Sequence, residues 1–306
     1  MISDIDCNRV YYSAKLPEVC PKTFRSVTAI LNKYGVPHSG LRGTKDIWVR
    51  DFMPLQSIGG AFLNYTYMPD YLCDDKHYVH TISDPVEVCK ANDIPVEDFF
   101  NWIRLDGGNM VHFGRSAIMT SKVLEENPGT PPSFLLERLE KMLEAEIILL
   151  PWDVNEEFGH ADGIVRFVDS DTVIMTNYSQ FDKKMADRFR NILKANFKNV
   201  HELHFNVKHL NENSWAYINW LQTDKVLILP AFGIAEDEQA FQQIESWMPE
   251  YKGRIEMADA TDLIKHKGCL NCATWTINSN PCAEEVPKKK QASLHFSMFR
   301  YLLLAL

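Results

Sequence analysis

Four side chains of this sequence, Asp51, His160, Asp162 and Cys272, are of the types that together attack a planar cation. Two carboxylates match the N–H fork of a guanidinium and can hold its central carbon in place. That carbon is a poor electrophile, so attack needs a thiolate. The bound cation and a nearby imidazolium would both lower the pKa of the cysteine. His160 would then protonate departing ammonia and afterwards activate a water. His160 and Asp162 lie two residues apart in Gly159-His160-Ala161-Asp162, just before the apolar run Ile164-Val165-Arg166-Phe167. Along a strand, residues i and i+2 project to one face, so the pair is expected to address one cavity.

Trp48, Asp106 and Asn109 are candidates for substrate contact. For Trp48 the alternative is core packing. At Gly107-Gly108 it is a close approach of two backbones, capped by the flanking polar residues. Cys269-x-x-Cys272 also has the spacing of half a zinc site or a redox pair. A structural zinc needs a second ligand pair at regular spacing, and none is evident. A redox dithiol belongs at a helix N-terminus, whereas CATWTI reads as a strand. Cys272 is therefore read as the nucleophile and Cys269 as a bystander, with no structural zinc.

The elements that must position these residues form a repeat. The segments WVRDFMPLQSIGGAFLNYTY, LDGGNMVHFGRSAIMT, GHADGIVRFVDSDTVIMTNYS, SWAYINWLQTDKVLILPAFG and GCLNCATWTINSN each start polar or small, turn apolar, pass a short turn and return as a second apolar strand. Superposed, they bring Asp51, Asn109, Asp162, Tyr217 and Cys272 into one column, at steps of 58, 53, 55 and 55 residues. Helical patterns lie between the hairpins. PSFLLERLEKMLEAE carries Leu135, Leu136, Leu139, Met142 and Leu143 at helical spacing behind a Ser133 N-cap, and KKMADRFRNILKAN and EDEQAFQQIESWM repeat the plan. Short apolar runs such as EIILLPW and HELHFNV follow as further strands, and KTFRSVTAILNKYGVP supplies the helix ahead of the first hairpin. Each ββαβ unit is unable to bury its sheet alone, so five of them are expected to pack around one axis in a closed ring, with their strand mouths facing a shared pocket. The reading is an α/β fold with a single catalytic domain over 1–285. A tail over 286–306 is compatible with an extra helix, a homo-oligomer contact or a loose end.

Composition narrows the partners. The formal charge is −9, from 41 acidic and 32 basic residues, with no basic stripe, so a phosphate-backbone footprint is missing and nucleic acid is not expected. An acidic balance suits a small cationic substrate, although a surplus of this size mostly serves solubility. MISDIDCNRVYY has no charged start followed by an apolar core, and no apolar run approaches a membrane span. Seven scattered cysteines read as free thiols of a reducing compartment. The expectation is a cytoplasmic protein that makes no membrane contact.

At the same residues the sequence resembles the agmatine deiminase and bacterial peptidylarginine deiminase family of the guanidino-modifying pentein superfamily. The resemblance lies in Trp48-Val-Arg50-Asp51, Asp106-Gly-Gly-Asn109, Gly159-His160-Ala-Asp162 with Arg166-Phe167, Ala216-Tyr-Ile-Asn219 leading to Leu229-Pro230-Ala-Phe232-Gly233, and Asn271-Cys272-Ala-Thr274. It implies a five-bladed α/β propeller, Cys272 as nucleophile, His160 as acid and base, Asp51 and Asp162 as guanidinium ligands, and no cofactor. Two departures stand out. Phe52-Met53-Pro54 replaces the family's usual Thr-Gly-Pro, and Gly268-Cys269-Leu270-Asn271 replaces its Gly-rich run with a His. Both sit beside the clamp or the nucleophile, which leaves agmatine, arginine, a peptide arginine or another guanidino compound as the substrate. A hydrolase releasing ammonia through an amidino-Cys272 intermediate is the first expectation. Amidine transfer, with an amine in place of water, needs the same four residues, whereas a non-catalytic binding module would have lost them.

Overall fold

The computed structural model describes residues 1–281; Cys282, the Lys288–Lys290 run and the whole of the expected tail lie outside the described residues. Five three-stranded sheets make up the β structure among the described residues, each an antiparallel pair joined in parallel to a third strand. Leu55–Gln56, Phe62–Thr66 and Glu97–Arg104 form the first. Val111–Phe113, Ser116–Thr120 and Glu146–Leu150 form the second. Val165–Phe167, Thr172–Met175 and Asn199–Glu202 form the third. Leu221–Gln222, Leu227–Ala231 and Ile255–Asp259 form the fourth. A parallel pair cannot be joined by a tight turn, so a crossover helix separates the second and third strands in each unit.

The last sheet joins the two ends of the described chain. Thr274–Ile277 pairs antiparallel with Arg9–Ser13, Ile277 opposite Arg9, and Arg9–Ser13 runs parallel to His38–Leu41. The helix Pro21–Lys33 therefore belongs to this fifth unit as its crossover, not to the first as a leading helix. The returning strand of the fifth hairpin is likewise at the other end of the sequence, which is why GCLNCATWTINSN holds only one strand of the pair.

The expected helices appear at Pro132–Leu143, Lys183–Asn196 and Ala235–Trp247. The Ser133 cap does not hold. Pro131 is the N-cap residue and Pro132 takes the first helical position, where its missing N–H costs nothing. Each helix buries its apolar face, and the cores are shared between neighbouring units. Leu136, Tyr65 and Trp275 meet in one core; Ile118, Val165 and Phe189 in a second; Ile174, Leu229 and Tyr217 in a third; Val10, Leu31 and Ile228 in a fourth. Neighbours thus pair in cyclic order, the fifth unit packing on both the fourth and the first. No helix among the described residues is long and apolar enough to cross a membrane.

Candidate active site

The column residues do not lie on strands. Each sits in a helical turn just before the first strand of its unit: Asp51 in Val49–Phe52, Asn109 in Gly107–Asn109, Asp162 in Ala161–Gly163, Tyr217 in Glu212–Ile218, and Cys272 in the turn before Thr274–Ile277. His160 is the extended residue that caps the third turn, so the two-residue alternation expected for His160 and Asp162 is replaced by a cap and the helical turn behind it. The turns are linked to one another around a circle. Gly108 N–H donates to Asp51 Oδ1 at 3.1 Å, and His160 Nε2 lies 3.0 Å from Asp106 Oδ2. Asn219 Nδ2 donates to the Asp162 carbonyl at 3.4 Å, Asn271 N–H to the Asn219 carbonyl at 3.1 Å, and Arg50 N–H to the Cys272 carbonyl at 3.1 Å.

Inside that circle the four expected residues meet. Cys272 Sγ is 3.5 Å from Asp162 Oδ2 and 3.4 Å from Asn219 Oδ1, and His160 Nδ1 is 3.7 Å from Asp51 Oδ1. Asp51, Asp106 and Asp162 are all buried. The two glycines mark the tight backbone approach read from the sequence. A Cβ on Gly107 would stand 2.1 Å from the Arg50 carbonyl oxygen, and one on Gly108 would stand 2.6 Å from both Asp51 Oδ1 and His160 Nδ1.

Burial and like charge set the protonation states. Burial pushes the Cys272 thiol well above its ordinary value, and the Asp162 and Asp51 carboxylates push it further. Burial alone would lower His160; Asp51, the hydrogen bond to Asp106 and the Asp162 charge outweigh it and raise the imidazole to about 10. Asp51 is raised to about 7 by burial, against the pull of His160 and with the push of Asp106 and Asp162. These residues therefore hold a neutral thiol and an imidazolium.

The remaining predicted residues divide. Asp106 belongs to the cluster through His160. The Asn109 amide is engaged elsewhere, its oxygen accepting from Thr120 N–H at 2.9 Å. Trp48 is half-buried and packs on the loop that leads to the nucleophile, where a Cβ on Gly268 would meet its ring at 2.5 Å. Cys269 is fully buried in the core, its thiol pushed up to about 12 chiefly by burial. Four neighbours were not read from the sequence. Asn219 Oδ1 accepts from the backbone of both Asn271 and Cys272, at 3.0 and 3.3 Å, and Asn271 Nδ2 donates to Asp162 Oδ2 at 2.7 Å. Both sit inside motifs already singled out, which was the available signal. The Tyr71 and Phe158 rings each lie 6.1 Å from the His160 ring. Tyr71 comes from the short helix Asp70–Cys73 in the crossover of the first unit and Phe158 from the connection between the second and third units, where no repeat marks them.

The Porphyromonas-type peptidyl-arginine deiminase family matches the chain over residues 25–277, from the crossover helix of the fifth unit to its closing strand. The chain belongs to that family. Among solved structures, the agmatine deiminase of C. jejuni superposes with a TM-score of 0.72 at 17% identity, covering 90% of this chain and 94% of the other. That of Enterococcus faecalis gives 0.68 at 15% identity, covering 90% and 94%. The DDAH of Pseudomonas aeruginosa gives 0.54 at 10% identity, covering 89% and 100%. At these identities the likeness speaks for a common mixed α/β fold. No curated protein sequence matches the chain. Family membership gives the gathered cysteine, histidine and carboxylates a setting of known kind, because this family's name is that of an enzyme acting on a guanidino group.

Proposed function

We propose that this protein is a guanidine deiminase built as a five-bladed α/β propeller, with the reaction on its axis. The propeller is supported by five sheets of one topology, cores shared in cyclic order, and a circle of hydrogen bonds between the column turns. One observation carries the chemistry: Asp51 of the first unit, His160 and Asp162 of the third and Cys272 of the fifth come together in one cluster, Cys272 within 4 Å of Asp162 and His160 within 4 Å of Asp51.

A guanidinium between Asp51 and Asp162 donates to both carboxylates and presents its central carbon to Cys272 Sγ. It also cancels the charges that hold the thiol up, so the thiol gives its proton to solvent and the thiolate forms beside its target. Sulfur adds to the carbon. His160, an imidazolium in the empty site, gives its proton to one amino group, which leaves as ammonia, and the carbon stays bound to sulfur as an amidino thioether. The neutral imidazole then takes a proton from water. The resulting hydroxide adds to the same carbon, the C–S bond breaks, and the ureido product departs. Asp106 holds His160 in place throughout, and Asn219 holds the backbone of Cys272.

Agmatine and arginine derivatives head the substrates to try, since a C. jejuni agmatine deiminase with a cysteine replaced by serine holds its substrate. Ammonia release from agmatine, arginine, a blocked arginine peptide and small guanidines, beside Cys272→Ala, tests the proposal. Turnover of at least one compound, lost in the variant, is expected. Silence across the panel, with Cys272 also inert to a haloacetamidine, would overturn it.

A further inference from the structure

Each clamp carboxylate shares its motif with an arginine. Arg50 precedes Asp51, and Arg166 follows Asp162 on the first strand of the third unit; both side chains are largely buried. A buried guanidinium needs a partner. One carboxylate serves both: Asp4 Oδ2 accepts from Arg166 Nη2 at 2.7 Å, and Asp4 Oδ1 lies 3.8 Å from Arg50 Nη1. Among the described residues, no other carboxylate comes within 4 Å of either guanidinium. Thr276, on the strand that follows Cys272, closes the set. Its hydroxyl donates to Asp4 Oδ1 and accepts from Arg50 Nη2, each at 3.1 Å. Asp4 thus braces from behind the three units that carry Asp51, Asp162 and Cys272.

Asp4 reaches that place from outside the repeat. The chain ahead of the strand Arg9–Ser13 crosses the ring where the first strands end, opposite the column turns that precede them, and it touches all five units. Ile2 N–H donates to the Gln56 carbonyl at 2.9 Å, the His112 ring bonds to the Ile2 carbonyl, Asp4 takes Arg166 and Thr276, and the Cys7 carbonyl accepts from Asp224 N–H at 2.8 Å. The path from there to the reacting groups is short. Arg50 Nε donates to the Asn271 carbonyl at 3.4 Å, and the Asn271 amide donates to Asp162 Oδ2 at 2.7 Å, so one residue stands between arginine and clamp. Arg166 interacts electrostatically with Asp162 and Cys272 as well as with Asp4. His112 adds no charge at pH 7, because burial pulls it down to about 4. Two guanidiniums and one carboxylate leave this group a net charge of +1, which becomes +2 when the carboxylate is lost. An arginine freed from Asp4 has Asp162 as its next carboxylate.

We infer that Asp4 is a positioning residue of the reaction, which by pairing with Arg50 and Arg166 keeps the protein's own guanidiniums from competing with the substrate for the clamp. It touches no substrate, and its role rests on the guanidine-deiminase reading and extends it. Two reagents of opposite demand test it in the full chain at pH 7, with alkylation read on the Cys272 peptide. Added positive charge behind the clamp favours the thiolate and repels a cation. Asp4→Asn should therefore speed alkylation by neutral iodoacetamide and slow alkylation by a cationic haloacetamidine, lowering the ratio of the second rate to the first by about tenfold or more. Loosened packing alone would move both rates in the same direction. The double variant Asp4→Asn, Arg166→Gln removes one charge of each sign and returns the group to +1, so its ratio should lie within about threefold of wild type. It also buries no newly unpaired charge, so it reads the same role where the single variant does not fold. A wild-type ratio in folded Asp4→Asn, or a tenfold fall in the double variant, overturns the inference alone. Cys272 inert to the haloacetamidine in the wild-type protein overturns the guanidine reading as well.

Discussion

Replacing Gly108 by alanine should cost activity and leave the fold intact. Gly108 is outside the left-handed region, so the backbone accepts a side chain there without strain. What the site cannot accept is the volume. The added carbon would lie 2.6 Å from Asp51 Oδ1, 2.6 Å from His160 Nδ1 and 3.3 Å from His160 Cε1, where ordinary contact begins at 3.4 Å. Asp51 and His160 must retreat by roughly 0.8 Å, and a misplacement of that order in a reacting array costs about a hundredfold in rate. A hundredfold is about 2.7 kcal/mol of transition-state stabilisation. Gly107→Ala is the control, because its added carbon would meet the Arg50 carbonyl at 2.1 Å, a backbone atom with nowhere to go. The assay pairs kcat/KM for ammonia release with thermal melting. Gly108→Ala should melt within a few degrees of the wild-type protein with kcat/KM down about a hundredfold, and Gly107→Ala should melt well below it. Wild-type kcat/KM in Gly108→Ala would refute the assignment of Asp51 and His160 to the reaction.

The pH dependence of stability follows from the same cluster. Free histidine titrates near 6.5 and folded His160 near 10, so its stabilisation is complete below about pH 6.5 and is lost as pH rises to about 10. The melting temperature should fall across that window more steeply in the wild-type protein than in His160→Gln. Asn219→Leu removes the oxygen that accepts the Cys272 N–H, worth about 1–3 kcal/mol when orphaned, while Asn271 N–H keeps the Asn219 carbonyl. It should lower the melting temperature by roughly 5 °C or more and reduce kcat with it; an unchanged melt would mean that the nucleophile turn is held by other contacts.

Much of the fold was legible because the chain repeats itself. Apolar doublets, crossover helices and column residues recur at near-equal steps, and any one unit explains the others. The fifth unit was half hidden. Its second strand, Arg9–Ser13, has no neighbour in sequence to form a hairpin with, since its partner is more than 260 residues away at Thr274–Ile277. Alternation was the wrong local rule for His160 and Asp162, because each unit opens with a helical turn before its first strand. Their convergence survived the error, since it depends on the cyclic stacking of the turns and not on the pleat. Asn109 shows the limit of a column. Position places a residue near the axis, but its amide turned to Thr120 N–H, a choice made by the hydrogen-bond needs of the neighbouring strand. Tyr71 and Phe158 fall outside the repeated strands and turns, and only their packing against His160 reveals them.

The charge pattern carries one further consequence, which two alkylating reagents can read. In the empty site, Asp162 lies 3.5 Å from Cys272 Sγ and helps to keep the thiol protonated. With a cation in the clamp, the same carboxylate holds that cation against the sulfur. Asp162 therefore opposes reaction with a neutral reagent and promotes reaction with a cationic one. Asp162→Asn should speed alkylation of Cys272 by iodoacetamide at pH 7 and slow alkylation by a haloacetamidine, each by about tenfold, the worth of one pKa unit. A carboxylate that merely shaped the pocket would move both rates in the same direction. Opposite signs from one substitution require that the cation and the thiol share Asp162, and a common sign would remove it from the guanidinium clamp.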